Sequence, residues 1–246
     1  MKKYLFFVAI FSYFSTNIFA QKQSVWLGVQ AGLAFQYYSL VNNSKSLRIG
    51  SSPSGDLGIN LEYRFSKFIG VEIGFRYTEL AQDLLFVSEK KGVIYEGVRE
   101  NKTISLPLNL VGRLNLSRNR AFVVGKLGLA FFQRDENPSS SSIGTFVNNN
   151  GFDVVIGTLE TSSINEKGFL LGASIGLEGR FLRKGNIRLL LSHSFSPVNV
   201  MQWNCQYIIN NEPTRYETIY SKLRNTGVSV HVSFPLLSFG KEKKLF

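Results

Sequence analysis

The sequence predicts an all-β chain that folds as one eight-stranded antiparallel up-and-down transmembrane β-barrel. Three observations carry that prediction. Eight segments alternate apolar residues with small or polar ones at the two-residue period of a strand. The connections between them alternate in length, short then long. The polar face of the strands is also crowded with glycine, which covers little on a solvated surface but suits a cramped barrel interior.

The chain opens with MKKYLFFVAIFSYFSTNIFA. Lys2 and Lys3 form a basic start, the next eleven residues an apolar core, and Ile18-Phe19-Ala20 a cleavage site with a bulky residue at minus three. The apolar run is too short for a spanning helix and has the layout of a secretory signal. Residues 1–20 are therefore expected to be a signal peptide, and 21–246 the outer-membrane barrel domain. Gln21, not a cysteine, follows the cleavage site, which argues against lipoprotein anchoring. Later in the chain there is no apolar stretch long enough for a helical span, so any insertion must use strands.

Alternation is clearest at 25–37, 56–65 and 69–77. In DLGINLEYRF, Leu57, Ile59, Leu61, Tyr63 and Phe65 interleave with Asp56, Gly58, Asn60, Glu62 and Arg64. The remaining strands are predicted at 103–116, 121–134, 169–181, 187–196 and 226–236. Each reaches roughly the 9–11 residues that a tilted strand needs to cross a bilayer. Short connections fall at 66–68, 117–120 and 182–186, and long polar ones at 41–55, 79–102, 135–168 and 197–225. The third long connection contains NPSSSS and NNNG and is predicted to be a mobile loop. Short turns on the periplasmic side and long loops outside would put both termini in the periplasm.

The polar face carries Gly28, Gly32, Gly58, Gly70, Gly74, Gly128, Gly172 and Gly176, with Ser105, Ser174, Ser192, Ser229 and Ser233. It also carries Glu62, Arg64, Glu72, Arg76, Arg113, Lys126, Glu178, Arg180, Arg188 and His231, predicted to form a polar core in the lumen. The opposite face is bulky and apolar. Its aromatics collect at the strand ends: Phe35, Tyr37, Phe75, Tyr77, Phe131, Phe169 and Phe195 at the outer end, Tyr63, Phe65, Phe181 and Phe234 at the periplasmic end. Two aromatic girdles around an aliphatic band match the two membrane interfaces.

Four stretches support a family resemblance: VWLGVQAGLAF, GINLEYRFSKFIGVEIGFRY, TISLPLNLVGRL and AFVVGKLGLAF. With them the chain resembles the PorT-like outer-membrane β-barrel domain family. The resemblance implies an outer-membrane barrel, sometimes linked to protein secretion or surface assembly, and mostly without a defined activity. Such barrels often close on an aromatic; Phe234, Phe239 and Phe246 are the candidates here.

Signatures of catalysis are absent: there is no P-loop, GxSxG, HExxH or dinucleotide fingerprint. His231 and Ser233 in SVHVS share a strand face, a pairing similar to that of outer-membrane lipid A deacylases. The alternation turns the pair into the lumen, away from lipid, where a structural histidine bonded to a neighbouring hydroxyl is expected. His193 falls on the apolar face near mid-membrane, an expensive place for an ionisable group. The acidic loop residues lack calcium-loop spacing, so no metal or cofactor is expected. Cys205, the only cysteine, is expected in the fourth long loop beside Trp203 and Tyr207 and excludes an internal disulfide.

The net charge of +11 first suggests nucleic acid, but an exported chain does not meet it. The basic residues are scattered except for Lys241, Lys243 and Lys244. The partners expected are outer-membrane lipid, lipopolysaccharide, and proteins contacting the long extracellular loops. The role expected is a non-enzymatic integral barrel whose loops contact surface or secretion-machinery partners. Alternatives are an outer-membrane lipid hydrolase, a small passive channel and a soluble ligand-binding barrel.

Overall fold

Period-two alternation becomes strand in every described element of the computed structural model, which describes residues 23–40, 47–51, 53–88, 92–117, 120–135, 139–143, 155–163, 165–181, 184–209 and 214–239. In chain order these strands are β1 (Gln23–Leu40), β2 (Leu47–Ser51), β3 (Pro53–Arg64), β4 (Ile69–Ser88), β5 (Gly92–Ser117), β6 (Ala121–Asp135), β7 (Ser139–Ile143), β8 (Val155–Ser163), β9 (Lys167–Phe181), β10 (Gly185–Ile209) and β11 (Arg215–Phe239). Eight of them, β1, β3, β4, β5, β6, β9, β10 and β11, pair antiparallel with their neighbours, and β11 returns to β1. The closed ring leaves no strand edge within the wall.

The two faces of the wall separate by burial. On β3, Leu57 and Ile59 are more than half exposed, whereas Asn60 and Glu62 are buried. The same holds around the ring: Leu114, Leu127, Ile175 and Leu189 face outward. A continuous apolar outer surface of this extent belongs in lipid, where the strands satisfy one another's backbone groups.

The inner face is narrow enough that glycine is required by close approach. A Cβ at Gly176 would lie 1.9 Å from the Leu189 carbonyl oxygen, and one at Gly128 would lie 2.2 Å from that of Leu108. Outward-facing Gly125 meets nothing within 4 Å. Pro107, inside β5, offers no N–H to the ladder. The β4–β5 pairing accordingly breaks between Ile73↔Leu108 and Arg76↔Ser105, and Gly74 lies opposite the proline ring.

The long connections differ from expectation. The second and fourth are extensions of the wall itself: β4 and β5 stay paired to Ser88↔Gly92, and β10 and β11 to Tyr207↔Arg215. The first contains β2, paired with β4, and the third contains β7 and β8, with β8 paired to β10. Part of the serine run expected to be mobile, Ser139 to Ser142, is therefore strand β7. These segments read as loops because of their length and polar composition, although MQWNCQY at 201–207 does alternate at the strand period. The NNNG stretch, the signal segment 1–20, Gln21, Phe246 and the three C-terminal lysines lie outside the described residues.

Cys205 is likewise on a strand and not in a loop; it pairs with Glu217 and Leu159, and its side chain lies outside the described residues. The side chain of Tyr37 does too. Of the other girdle aromatics, Phe35, Phe75, Phe169, Phe181, Phe195 and Phe234 are exposed on the outer face, and Tyr63, Phe65, Tyr77 and Phe131 are half-buried there. Tyr63 stacks edge-on against Phe65 at 4.9 Å, and Phe131 against Phe169 at 5.7 Å. β11 ends at Phe239, opposite Gln23.

Candidate functional site in the barrel lumen

Inward positions on six strands bring seven charged side chains into one network in the half of the lumen nearest the short turns. Arg188 on β10 is its centre, with 1% of its surface exposed. Its guanidinium reaches Glu178 through Nε, Glu62 through Nη2 and Glu72 through Nη1, the last at 3.2 Å. One side chain thus ties together carboxylates on β9, β3 and β4. Lys126 on β6 donates to both oxygens of Glu72, at 2.7 and 2.9 Å. Arg113 on β5 donates through Nη2 to Glu62 and through Nε to Glu178 Oε2 at 3.2 Å. Arg64 completes the set, 3.3 Å from Glu62 and 3.6 Å from Glu178.

Amides finish the coordination. Asn60 and Asn109 donate to Glu72 at 2.9 and 3.4 Å, and Asn186 donates to Glu178 at 2.9 Å. Val111, Val124 and Leu190 form a dry wall beside the network, with Phe122 packed against them. Charges this far from water persist only when paired and hydrogen-bonded, and removing a member leaves its partners buried without compensation. Because each glutamate accepts from several cations, none offers a free lone pair for general-base chemistry.

Two residues expected in this core stand elsewhere. Arg180 is exposed at the short-turn mouth, because alternation gives a residue's face but not its height in the barrel. Arg76 sits nearer the long hairpins, where it faces Asp56 at 3.4 Å with its side chain 28% exposed. Gln30 and Thr78 donate to the same aspartate at 3.2 and 3.4 Å. Leu170 and Ala34, both buried, line a cavity of about 70 Å3 with this group, and Phe132 is buried on the same inner face.

His231 is buried on the lumen face, and its Nε2 lies 3.2 Å from Ser229 Oγ. Ser233 Oγ has no hydrogen-bond partner, so the His231–Ser233 pair that hydrolysis would need is not formed. His193 is exposed on the outer face, in an apolar groove with Leu110, Leu127, Ile175 and Leu191. Its Nδ1 is 2.9 Å from Thr226 Oγ1, and the next outward-facing register pair is Phe195↔Arg224.

Asn60 was legible on the polar face of DLGINLEYRF, but Gln30, Asn109 and Asn186 escaped the sequence reading, although each lies an even number of residues from a charged lumen position on its strand or, for Gln30, from Gly28 and Gly32. The signal was present in the spacing.

Among solved structures, the outer membrane protein OprG from Pseudomonas aeruginosa matches at 12% identity and a TM-score of 0.50, over 87% of this chain and 98% of that one. Neisserial surface protein A matches at 10% identity and a TM-score of 0.47, over 86% of this chain and 97% of its own. At such identities the likeness to OprG bears on fold alone. No curated protein matches by sequence. The family model described as outer membrane protein beta-barrel domain matches residues 6–195. A closed eight-stranded wall with an apolar outer face and a charged, glycine-lined lumen accords with that match, and the chain belongs to the outer membrane protein β-barrel domain family.

Proposed function

We propose that this chain is a non-enzymatic barrel whose lumen is plugged and whose recognition surface is the set of raised hairpins at the long-connection end. The observation that carries this reading is Arg188 bound to carboxylates of three strands at once, which obstructs the lumen with paired charge. An eight-stranded interior is small enough for side chains to fill. Solute passage and catalysis both need accessible space or free groups, and the network spends both on itself.

The hairpins, by contrast, extend β4–β5 and β10–β11 well beyond the apolar belt and add β2, β7 and β8 as flanking strands. In this reading they face the outside, the short turns and both termini face the periplasm, and residues 1–20 direct export. The partners are surface or secretion-machinery proteins, as the PorT-like motifs suggest, and the wall meets outer-membrane lipid and lipopolysaccharide. Affinity capture from intact membranes with a tag in the β10–β11 hairpin tests the role: secretion-machinery components should co-purify. Capture of nothing beyond lipid would count against it. In planar bilayers the barrel should show no large, stable conductance.

A further inference from the structure

The charged network does not end neutral. Among the described side chains that form it or line the adjoining mouth, three carboxylates, Glu62, Glu72 and Glu178, face six cations, Arg64, Arg113, Lys126, Arg188, Arg120 and Arg180. The surplus collects at the short-turn mouth, in a cavity of about 300 Å3 lined by Arg64, Lys67, Arg113, Arg120 and Arg180, with Trp26 and Glu178. That volume equals about ten waters of liquid, ample for a phosphate group. Glu178, the one carboxylate in the lining, is already taken by Arg113, Arg188 and Asn186.

Two observations point to a ligand. Arg113 is buried, with 3% of its surface exposed, and its Nη1 has no hydrogen-bond partner. A buried guanidinium N–H left unmade is costly, and this one belongs to a residue of the cavity lining. Arg120 and Arg180, both exposed at the rim, pair with no carboxylate among the described residues. They are held together by their backbones, the Arg180 amide donating to the Arg120 carbonyl at 3.2 Å. By sequence the three short turns, 66–68, 117–120 and 182–186, carry five Lys or Arg and no acid.

We propose that the short-turn mouth binds a phosphate-class anion. Arg113 supplies a buried guanidinium with an unmade N–H in the cavity lining, and Arg120 and Arg180 supply the rim. Guanidinium groups suit this task because their planar forks match phosphate oxygens in pairs. Arg64 is held over the Trp26 ring at 3.8 Å, which fixes one wall and gives the site an optical reporter. The same chemistry is offered by an anionic phospholipid headgroup at the membrane face and by a soluble phosphate.

The test uses the full folded barrel carrying Trp203→Phe, so that Trp26 is the only tryptophan left of the two. Its emission is followed during titration with inorganic phosphate against chloride at matched ionic strength. A parallel arm compares phosphatidylcholine nanodiscs with and without phosphatidylglycerol. A saturable change should appear with phosphate, with phosphatidylglycerol, or with both. It should weaken about tenfold or more in the double variant Arg120→Gln, Arg180→Gln, whose side chains are exposed and whose folding is checked by heat-modifiable gel migration. A response to the lipid alone assigns the site to headgroups, and a response to phosphate assigns it to phosphate in general. The proposal is overturned if neither ligand exceeds chloride or if the folded double variant responds as the parent does. Should the double variant fail to fold, each single variant must lose part of the response, and an unchanged response in both overturns the proposal equally.

Discussion

In the short-turn half of the lumen, four cations and three carboxylates share one hydrogen-bonded network against a wall of Val111, Val124 and Leu190. In the long-hairpin half, Phe132, Leu170, Ala34 and the buried Arg134 fill space beside a partly exposed pair, Asp56–Arg76, and a small cavity. Both halves fill the same tube. The first does so with groups that cannot be removed singly, because its three arginines are each shared among carboxylates and Lys126 holds both oxygens of Glu72. The second relies on apolar filling and on Asp56, which takes neutral donors from Gln30 and Thr78 as well as Arg76. The densest charge pairing is therefore at the short-turn end.

The contrast is most exposed to Arg188→Met. It should cost about 3–5 kcal/mol, since three glutamates lose their common partner in a dry site. Arg76→Met should cost about 1 kcal/mol or less, because the Arg76 side chain is partly solvated and Gln30 and Thr78 still donate to Asp56. Unfolding of both variants by denaturant from lipid vesicles measures the difference; equal losses would erase the distinction between the halves.

Steric crowding gives the next largest effect. Gly176→Val should cost about 1–3 kcal/mol or block assembly, because its Cβ would strike backbone and not a flexible side-chain end. Gly125→Ala on the outer face should stay within about 0.5 kcal/mol. The heat-modifiable gel shift reads both, and a tolerated Gly176→Val would mean that the lumen is wider than the backbone contacts imply. The smallest effect is expected on the outer face: Thr226→Val should lose about 1 kcal/mol by removing the hydroxyl beside His193 Nδ1. A histidine facing bulk water would not register that change in thermal melting.

What was legible in the chain follows from what alternation encodes. Period two separates Glu62 and Arg64 from Leu61 and Tyr63, so faces and strands could be read directly. Height could not, which is why Arg180 was grouped with Glu178 although it lies at the rim. Partner choice could not either: His231 has a serine two residues away on each side, and only the fold selects Ser229. The apolar lumen residues were hidden for a different reason. Val111, Val124 and Phe132 lie on strands whose outer face is also apolar, so the contrast that marks a face vanishes there. The paired hairpins beyond the belt read as loops because they are long and polar, although the alternation of MQWNCQY at 201–207 carried the strand signal.

The register of β1 against β11 carries a consequence for how the chain matures. Gln23 meets Phe239, so the last seam joins residues from nearly opposite ends of the chain. Loop-closure entropy opposes such a contact, and topologies dominated by distant pairings form slowly. Until β11 arrives, β1 and β10 each present an unpaired edge in which backbone groups lack partners, an arrangement that hydrocarbon does not tolerate. Insertion and sealing are therefore coupled. An intermediate missing its final hairpin is a substrate for whatever machinery shelters open edges, and a truncated chain would be left at that stage permanently.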